Sequence, residues 1–272
     1  MKNAFLSQYV KANLRPCQLK QLSILEEIAS ICDKHKIEYW LDGGTLLGAV
    51  RHGGFIPWDD DIDIGMSLKG LQQFIKIAPN ELSKSLFLQT PETDPSNKEP
   101  IIKIRDLNSL YIEAGDTFSA PYQKGLYVDI FPFIDYPTIP RSWVKKLCKG
   151  ISKSYSILHA HHYYSLRSFA EFFYFGVKYW IFRLIWNILC LICKKGTYLS
   201  NILHNNGYGI MHRIDSVYPL SEIKFEGKIF KAPNNPDAYL KDLYKNYMDI
   251  PPKEKQIVHA LYIHPELIKE LR

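Results

Sequence analysis

Residues 58–64, Trp-Asp-Asp-Asp-Ile-Asp-Ile, set four carboxylates directly against an apolar segment, which limits the folds open to this chain. Side chains alternate across a strand, so Asp61 and Asp63 are predicted to share one face. Ile62 and Ile64 then point into the core. Two carboxylates that lie so near each other on one strand face repel each other unless a cation lies between them. The run therefore predicts a metal site, with a solvated acidic turn as the simpler alternative.

The predicted cation is magnesium or manganese, because these ions take hard oxygen ligands and leave coordination positions for phosphate oxygens. Asp61 and Asp63 are the predicted ligands. Asp59 joins them if the strand begins early, whereas Asp60 is expected to point to the opposite face.

A glycine pair lies just upstream, in the segment Asp42-Gly43-Gly44-Thr45. The pattern predicts a strand over 37–42, a break at the glycines, and a short helix capped by Thr45. Backbone N–H groups at such a turn and at a helix N-terminus bind phosphate. Gly43, Gly44 and Thr45 are therefore candidate phosphate-binding residues.

A further carboxylate, Asp129, lies in the apolar segment 127–130. An unpaired carboxylate in a buried strand is costly, so Asp129 needs a partner. A metal shared with the upstream aspartates is one such partner. A structural ion pair with Lys103 or Arg105 is the alternative.

Several basic residues flank these motifs. Arg51 and His52 follow the glycine turn and can neutralise a diphosphate, although cations stabilised by the helix dipole give the same pattern. Lys103 and Arg105 share one strand face and are candidate substrate contacts, with solvated edge-strand charges as the alternative. His259 joins the candidate substrate-binding set, although a lone histidine is more often structural.

The combined pattern resembles the LicD family of the nucleotidyltransferase superfamily, which includes bacterial phosphocholine transferases and is related to the fukutin-type transferases. The block from the glycine pair to the aspartates is the most specific part. The resemblance rests on residues 39–52, 54–63, 128–132, 225–227 and 251–252, together with His259.

The resemblance implies an α+β fold, with a nucleotidyltransferase-like mixed sheet flanked by helices, and a metal-dependent transfer of a phospho-alcohol. The implied reaction moves phosphocholine from CDP-choline to a hydroxyl of a cell-surface glycan such as teichoic acid, lipopolysaccharide or capsule. Asp61 and Asp63 are the implied metal ligands, with Asp129 as third carboxylate and base. Residues 43–45 hold the donor phosphate. Positioning and charge neutralisation accelerate such a transfer.

Other interpretations stay open. The transferred group can be phosphoglycerol or phosphoethanolamine, or the reaction can be true nucleotidyl transfer. A membrane-bound scaffold for glycan assembly is the non-enzymatic alternative, but a scaffold has no need of carboxylates that repel one another. No nucleic-acid motif accompanies the net charge of +6, so no nucleic-acid partner is expected.

Three regions are predicted along the chain: a catalytic core over 1–140, a basic aromatic helical subdomain over 141–213, and a C-terminal segment over 214–272 that completes the core. Within the core, periodicity predicts a helix over 16–36 and a strand over 61–66. Ser67 is expected to cap the next helix. A hairpin is expected around Glu226 and Gly227.

The helical subdomain contains a long apolar stretch, 172–193, interrupted by Lys178 and Arg183. Charge at a bilayer centre costs about 2.5–3.5 kcal/mol per residue, which argues against a simple span. A helix lying in the membrane interface is therefore predicted, with flanking lysines drawn to anionic lipid. A buried core helix and a true span are the alternatives.

The N-terminus shows no signal-peptide pattern, and the five cysteines form no disulfide framework. A cytoplasmic protein, peripheral at the inner face of the cell membrane, is therefore expected. Its expected partners are a CDP-activated donor, a glycan acceptor that can be lipid-linked, and an anionic membrane surface.

Overall fold

The computed structural model describes residues 4–97, 101–113, 116, 121–159 and 165–267. The chain forms two compact units, residues 1–131 with 220–272 and residues 132–219. The α-helices are α1 (Ala4–His35), α2 (Gly43–His52), α3 (Leu68–Glu81), α4 (Arg141–His159), α5 (Leu166–Ile192), α6 (Ile214–Val217) and α7 (Pro236–Tyr244). The strands are β1 (Tyr39–Leu41), β2 (Asp63–Ser67), β3 (Leu86–Gln89), β4 (Ile102–Asp106), β5 (Leu110–Glu113), β6 (Tyr127–Tyr136), β7 (Tyr198–Asn201), β8 (His212–Arg213), β9 (Ser221–Phe225), β10 (Lys228–Ala232) and β11 (Ala260–His264).

The first unit is built on a sheet with strand order β1-β2-β6-β4-β3. Strand β4 pairs antiparallel with both β3 and β6, so it is an interior strand. Strand β6 is ten residues long; its residues 133–136 belong to the second unit and pair there with β7. The predicted α+β class, with a mixed sheet flanked by helices, is confirmed.

Helix α1 begins at Ala4, well before the predicted start at residue 16. Val10 and Leu14 extend the apolar face of Cys17, and all three pack in a buried cluster with β5 and β11. This burial accounts for the longer helix, which tolerates Pro16 in its interior. An interior proline removes one backbone hydrogen bond, so the packing outweighs that loss.

Two local predictions are confirmed. Ser67 caps α3, because its hydroxyl accepts a 3.0 Å hydrogen bond from the N–H of Gly70. Strands β9 and β10 form the predicted hairpin, whose turn residues Glu226 and Gly227 have φ angles of 51° and 81°.

In the second unit, helices α4 and α5 pack against each other around a buried cluster. Val144 and Ile151 of α4 contribute to this cluster together with Trp186 of α5. The helices approach closely at Gly150, where an added Cβ would lie 2.0 Å from the ring of Phe182.

Candidate active site

Asp42 begins helix α2. Its carboxylate accepts a 2.7 Å hydrogen bond from the N–H of Gly43, and its carbonyl accepts one of 2.9 Å from Leu46. The prediction that Thr45 caps this helix is therefore wrong. The cap lies three residues earlier, at Asp42, whose side chain satisfies an N–H group that the helix leaves free.

Gly43 and Gly44 lie in the first turn of α2 and leave room for two carboxylates. A Cβ on Gly43 would lie 2.7 Å from Oδ2 of Asp63, and a Cβ on Gly44 would lie 2.7 Å from Oδ2 of Asp59. Gly43 also has a φ of 51°, a left-handed conformation that favours glycine. Both carboxylates therefore pack against the positive end of the helix dipole.

Thr45 connects α2 to the aspartate segment. Its hydroxyl accepts a 2.8 Å hydrogen bond from the N–H of Asp63, and the residue is buried. The N–H of Asp42 in turn donates to the carbonyl of Asp63 over 3.0 Å. These two bonds fix the start of β2 at Asp63, not at residue 61 as predicted.

Asp61 and Asp63 lie among other carboxylates. Burial raises the pKa of Asp61 well above its ordinary value, and Asp59, Asp60 and Asp129 raise it further. Burial also raises the pKa of Asp63, with Asp61 and Asp129 as the largest charged contributors. The pKa of Asp59 rises to about 6 through burial and then through Asp60. These acidic residues therefore form one cluster, in which neighbouring negative charges oppose the ionisation of Asp59, Asp61 and Asp63.

Asp60 does not point away from this cluster, contrary to the prediction. One side-chain atom each of Asp60, Asp61 and His259 lies within 4.8 Å of the other two. Strand alternation does not govern Asp60, because β2 begins only at Asp63. Its Oδ2 accepts hydrogen bonds of 3.1 Å from the Tyr111 hydroxyl and 2.6 Å from the Ala260 N–H.

His259 lies at the edge of the cluster with an exposed ring. Its Nδ1 is 3.5 Å from Oδ1 of Asp60. The hydrogen bond to Asp60 raises the pKa of His259 to about 9, and the nearby Asp61 and Asp59 add to this shift. A protonated His259 thus offsets part of the negative charge.

Asp129 forms the ion pair that the sequence offered as an alternative, and it also lies near the aspartate cluster. Nζ of Lys103 is 2.9 Å from Oδ1 of Asp129, and both side chains are buried. The charge of Asp129 nevertheless raises the pKa of both Asp61 and Asp63. The N–H of Asp129 donates to the carbonyl of Ile62 over 2.8 Å, which holds β6 beside the aspartate segment.

Lys103 and Arg105 are buried on interior strand β4, so the alternative of solvated edge-strand charges is wrong. Nζ of Lys103 and Cζ of Arg105 lie 3.8 and 4.7 Å from the ring centroid of Tyr127. Arg105 donates to the side chain of Gln89 over 2.7 Å and to the carbonyl of Gly125 over 2.8 Å. Arg105 therefore forms structural hydrogen bonds to Gln89 and Gly125, whereas Lys103 pairs with Asp129 next to the acidic cluster.

Arg51 and His52 end helix α2 and are partly buried. Nε of Arg51 donates to Nε2 of His52 over 3.0 Å, and Nη1 donates to the carbonyl of Tyr247 over 2.7 Å. Burial lowers the pKa of His52, and Arg51 lowers it further. His52 is therefore kept neutral beside a permanent cation.

A cavity of about 350 Å³ opens beside Gly44. Arg51 and Asp59 supply opposite charges to its wall, and Trp58 and Tyr244 supply aromatic rings. The cavity therefore joins the glycine-rich helix start, the acidic cluster and a cation.

The roles of four residues in the site region were not predicted from the sequence. Tyr111 and Tyr239 hold Asp60 and Asp42, and Tyr244 has a raised pKa through burial and the neighbouring aspartates. Glu226, noted only within a motif, accepts a 3.0 Å hydrogen bond from the Phe55 N–H. Among these four residues, only Glu226 had a local signal in the sequence, which is the turn that it forms with Gly227. Tyr111 and Tyr239 contact residues that are far away in the sequence, and no local pattern reveals such contacts.

The acidic cluster fits a divalent cation. Asp59, Asp60, Asp61, Asp63 and Asp129 present oxygen ligands, which suit hard cations. The raised pKa values of Asp59, Asp61 and Asp63 reflect burial and repulsion from the neighbouring carboxylates, which a bound cation would relieve. Gly43 and Gly44, which we call the glycine cradle, have no side chains that would collide with the carboxylates of Asp63 and Asp59.

A mixed sheet flanked by helices, with clustered carboxylates beside a glycine-rich helix start, is the arrangement expected of a nucleotidyltransferase-type transferase. Residues 36–147 match the family model described as LicD/FKTN/FKRP, nucleotidyltransferase domain. The resemblance to the LicD family that the motifs predicted is therefore confirmed over residues 36–147.

Similarity to one bacterial protein covers nearly the whole chain. The lipopolysaccharide cholinephosphotransferase LicD of Haemophilus influenzae is 28% identical over 92% of this chain and 97% of its own length. Human ribitol 5-phosphate transferase FKRP is 30% identical over 45% of this chain but only 22% of its own length. Mouse ribitol-5-phosphate transferase FKTN is 30% identical over 29% of this chain and 18% of its own length. These relatives are named as phosphotransferases, and this chain is an enzyme of that class.

Proposed function

We propose that this enzyme transfers phosphocholine from CDP-choline to a hydroxyl of a cell-surface glycan. The observation that carries the proposal is the acidic cluster packed against the glycine-rich start of α2. The relative from Haemophilus influenzae, similar along its whole length, is named for the transfer of cholinephosphate to lipopolysaccharide.

Asp61 and Asp63 are the proposed ligands of a magnesium or manganese ion, with Asp129 and Asp59 as further carboxylates of the same site. The bound ion would supply charge neutralisation at the donor diphosphate. Thr45 supports this set indirectly, because its hydroxyl holds the N–H of Asp63.

Gly43, Gly44 and Arg51 are proposed to contact the donor phosphates. The two glycines offer backbone near a helix N-terminus, and Arg51 lies in the same cavity wall as Gly44. Trp58 and Tyr244 line that cavity and suit a cationic or flat group through their aromatic faces.

In the proposed reaction, the acceptor hydroxyl oxygen attacks the phosphorus that carries the alcohol. A new P–O bond forms, the bond to cytidine monophosphate breaks, and the hydroxyl proton passes to a carboxylate. Asp129 is the proposed acceptor of that proton, and the neighbouring Lys103 and His259 limit the build-up of negative charge. Arg105 is proposed to act indirectly by holding β4 in place.

A pentitol phosphate is the second candidate for the transferred group, because the relatives FKRP and FKTN are named as ribitol phosphate transferases. Phosphoglycerol and phosphoethanolamine are further candidate groups, and true nucleotidyl transfer is a further candidate reaction. We place the reaction at the inner face of the cell membrane, where a lipid-linked acceptor glycan would be accessible.

Release of cytidine monophosphate from a panel of CDP-activated alcohols, with and without acceptor glycan, tests the proposal. CDP-choline should give the highest acceptor-dependent kcat/KM. Preference for CDP-ribitol would support the second candidate, and release of pyrophosphate from a nucleoside triphosphate would support nucleotidyl transfer. The Asp63→Asn variant serves as the inactive control.

A further inference from the structure

Helix α5 exposes a continuous apolar stripe. Large apolar side chains recur every three or four residues along one face, and the exposed fraction of each lies between 44% and 73%. Six of them define the α5 stripe: Phe169, Phe173, Val177, Trp180, Leu184 and Ile188. Within the described residues, α5 is the one helix long and apolar enough, by length and composition, to cross a membrane.

The other face of α5 is already occupied. Tyr179, Phe182 and Leu189 pack toward the cluster around Trp186, together with residues of α4. Trp186 is the one buried residue of α5, which contradicts the alternative of a buried core helix. The α5 stripe therefore faces outward while the helix is held in place from behind.

The stripe itself carries no charge. Lys178 and Arg183 are partly buried and fall outside its spacing, and Nζ of Lys178 lies 5.6 Å from the ring centroid of Phe182. The two charges that interrupt the apolar stretch in sequence are thus removed from its exposed face by the helical period.

The second unit is strongly basic. Residues 132–219 contain eleven Lys and Arg but three Asp and Glu. The whole chain has 34 Lys and Arg and 28 Asp and Glu, so the residues outside this unit include 23 basic and 25 acidic side chains. Helix α4 contributes four exposed lysines and no acidic residue, and these are Lys145, Lys146, Lys149 and Lys153. An apolar face on a basic unit complements an anionic lipid surface.

We propose that the α5 stripe lies in the plane of an anionic bilayer and inserts its apolar side chains at the boundary between headgroups and acyl chains. A spanning orientation is disfavoured, because α4 packs along α5 and its lysines would enter hydrocarbon. Pairing with a second copy of the stripe is disfavoured too, since two strongly basic units repel each other.

Co-sedimentation of the full-length protein with vesicles tests this proposal. Binding should be strong with vesicles of phosphatidylcholine and phosphatidylglycerol, weak with phosphatidylcholine alone, and reduced by salt. The triple variant Phe173→Ser/Trp180→Ser/Leu184→Ser should lower the vesicle partition coefficient at least about tenfold. These side chains are exposed, so the fold should persist, which circular dichroism checks.

A matched control carries three serine substitutions at exposed apolar residues elsewhere, Phe5→Ser, Tyr208→Ser and Ile229→Ser. Vesicle binding by this control should equal that of the wild type. The proposal is overturned if both triple variants bind equally, or if the wild type stays in the supernatant. It is also overturned if the stripe variant changes only a dimer–monomer equilibrium in solution. None of these readouts depends on which donor the enzyme uses.

Discussion

The hydroxyl of Tyr239 donates a 2.7 Å hydrogen bond to Oδ1 of Asp42, the carboxylate that caps helix α2. The two residues are 197 positions apart in the chain. Tyr239 is fully buried, and its hydroxyl also accepts a 3.3 Å hydrogen bond from Nε1 of Trp40. The helix start that carries the glycine pair is therefore held from α7.

Removal of this hydroxyl should weaken the site. Tyr239→Phe leaves the indole of Trp40 and the carboxylate of Asp42 with one partner fewer, which should cost about 1–3 kcal/mol of the free energy of unfolding. We also expect a lower kcat, because Asp42 orients Gly43. Urea denaturation and steady-state kinetics measure the two effects. Tyr244→Phe is a contrasting variant, and an equal loss of stability in both would argue against the cap interaction.

Divalent cations should stabilise the wild-type protein, because a bound ion offsets the repulsion within the acidic cluster. A rise in Tm with added magnesium or manganese is the expected result. Asp61→Asn and Asp63→Asn should each abolish this rise and lower kcat by at least about a hundredfold. The exposed control Asp33→Asn should behave as the wild type.

Asp60→Asn, in contrast, should mainly reduce stability. The carboxylate of Asp60 accepts hydrogen bonds from the Tyr111 hydroxyl and the Ala260 N–H, so the NH2 group of an asparagine here can face one of these two donors.

A metal-dependent Tm rise that persists in Asp61→Asn and Asp63→Asn would remove the basis for the metal assignment.

The glycine cradle predicts a selective effect of small substitutions. Gly44→Ala places a Cβ 2.7 Å from the Asp59 carboxylate, so this carboxylate must move away from the helix start. We expect a loss of activity of at least about tenfold and a destabilisation of about 1–3 kcal/mol. Gly176→Ala is the matched control, since its Cβ would meet no atom within 4 Å in helix α5. That control should be neutral or stabilising by up to about 1 kcal/mol.

The buried pair of Lys103 and Asp129 predicts strong coupling. Lys103→Met should destabilise the protein by about 3–5 kcal/mol, because it leaves a buried carboxylate without its cation. Asp129→Asn should lower activity, and the double variant should be less destabilised than the sum of the single variants. A double-mutant cycle by chemical denaturation measures this coupling. If the effects of the two single variants add strictly, the interaction between Lys103 and Asp129 contributes nothing to stability.

His204 predicts a pH dependence of the second unit. Its ring stacks on Tyr155 at a centroid distance of 4.7 Å, and burial, followed by Arg183 and His159, lowers its pKa from 6.5 to about 4. Between these values the unfolded chain binds more protons, so stability is full above pH 6.5 and falls as the pH drops toward 4. Because the ring is partly exposed, we expect a loss of about 1–2 kcal/mol at pH 5.

Denaturation midpoints at pH 7 and pH 5 check this expectation. His204→Gln should flatten the pH dependence, because it removes the titrating group. An unchanged slope in that variant would assign the effect to other residues.

Local sequence patterns were enough to predict which chemical groups form the candidate site. Clustered aspartates, a glycine pair and a carboxylate within an apolar strand are local patterns, and repulsion between like charges makes them improbable without a functional reason. Helical spacing also predicted α5, although it could not show which face would be covered. The cap at Ser67 and the hairpin at Glu226 and Gly227 follow equally from local conformational preferences.

The arrangement of those groups depends on contacts between elements that are far apart in the sequence. The direction of Asp60 depends on Tyr111 and Ala260, and the cap of α2 depends on Tyr239, which are remote in the chain. The sequence left two partners possible for Asp129, a metal ion or a basic side chain. The pairing of β4 with β6 places Lys103 opposite Asp129. Periodicity describes the faces of single elements, whereas these contacts form between elements, so no local pattern encodes them.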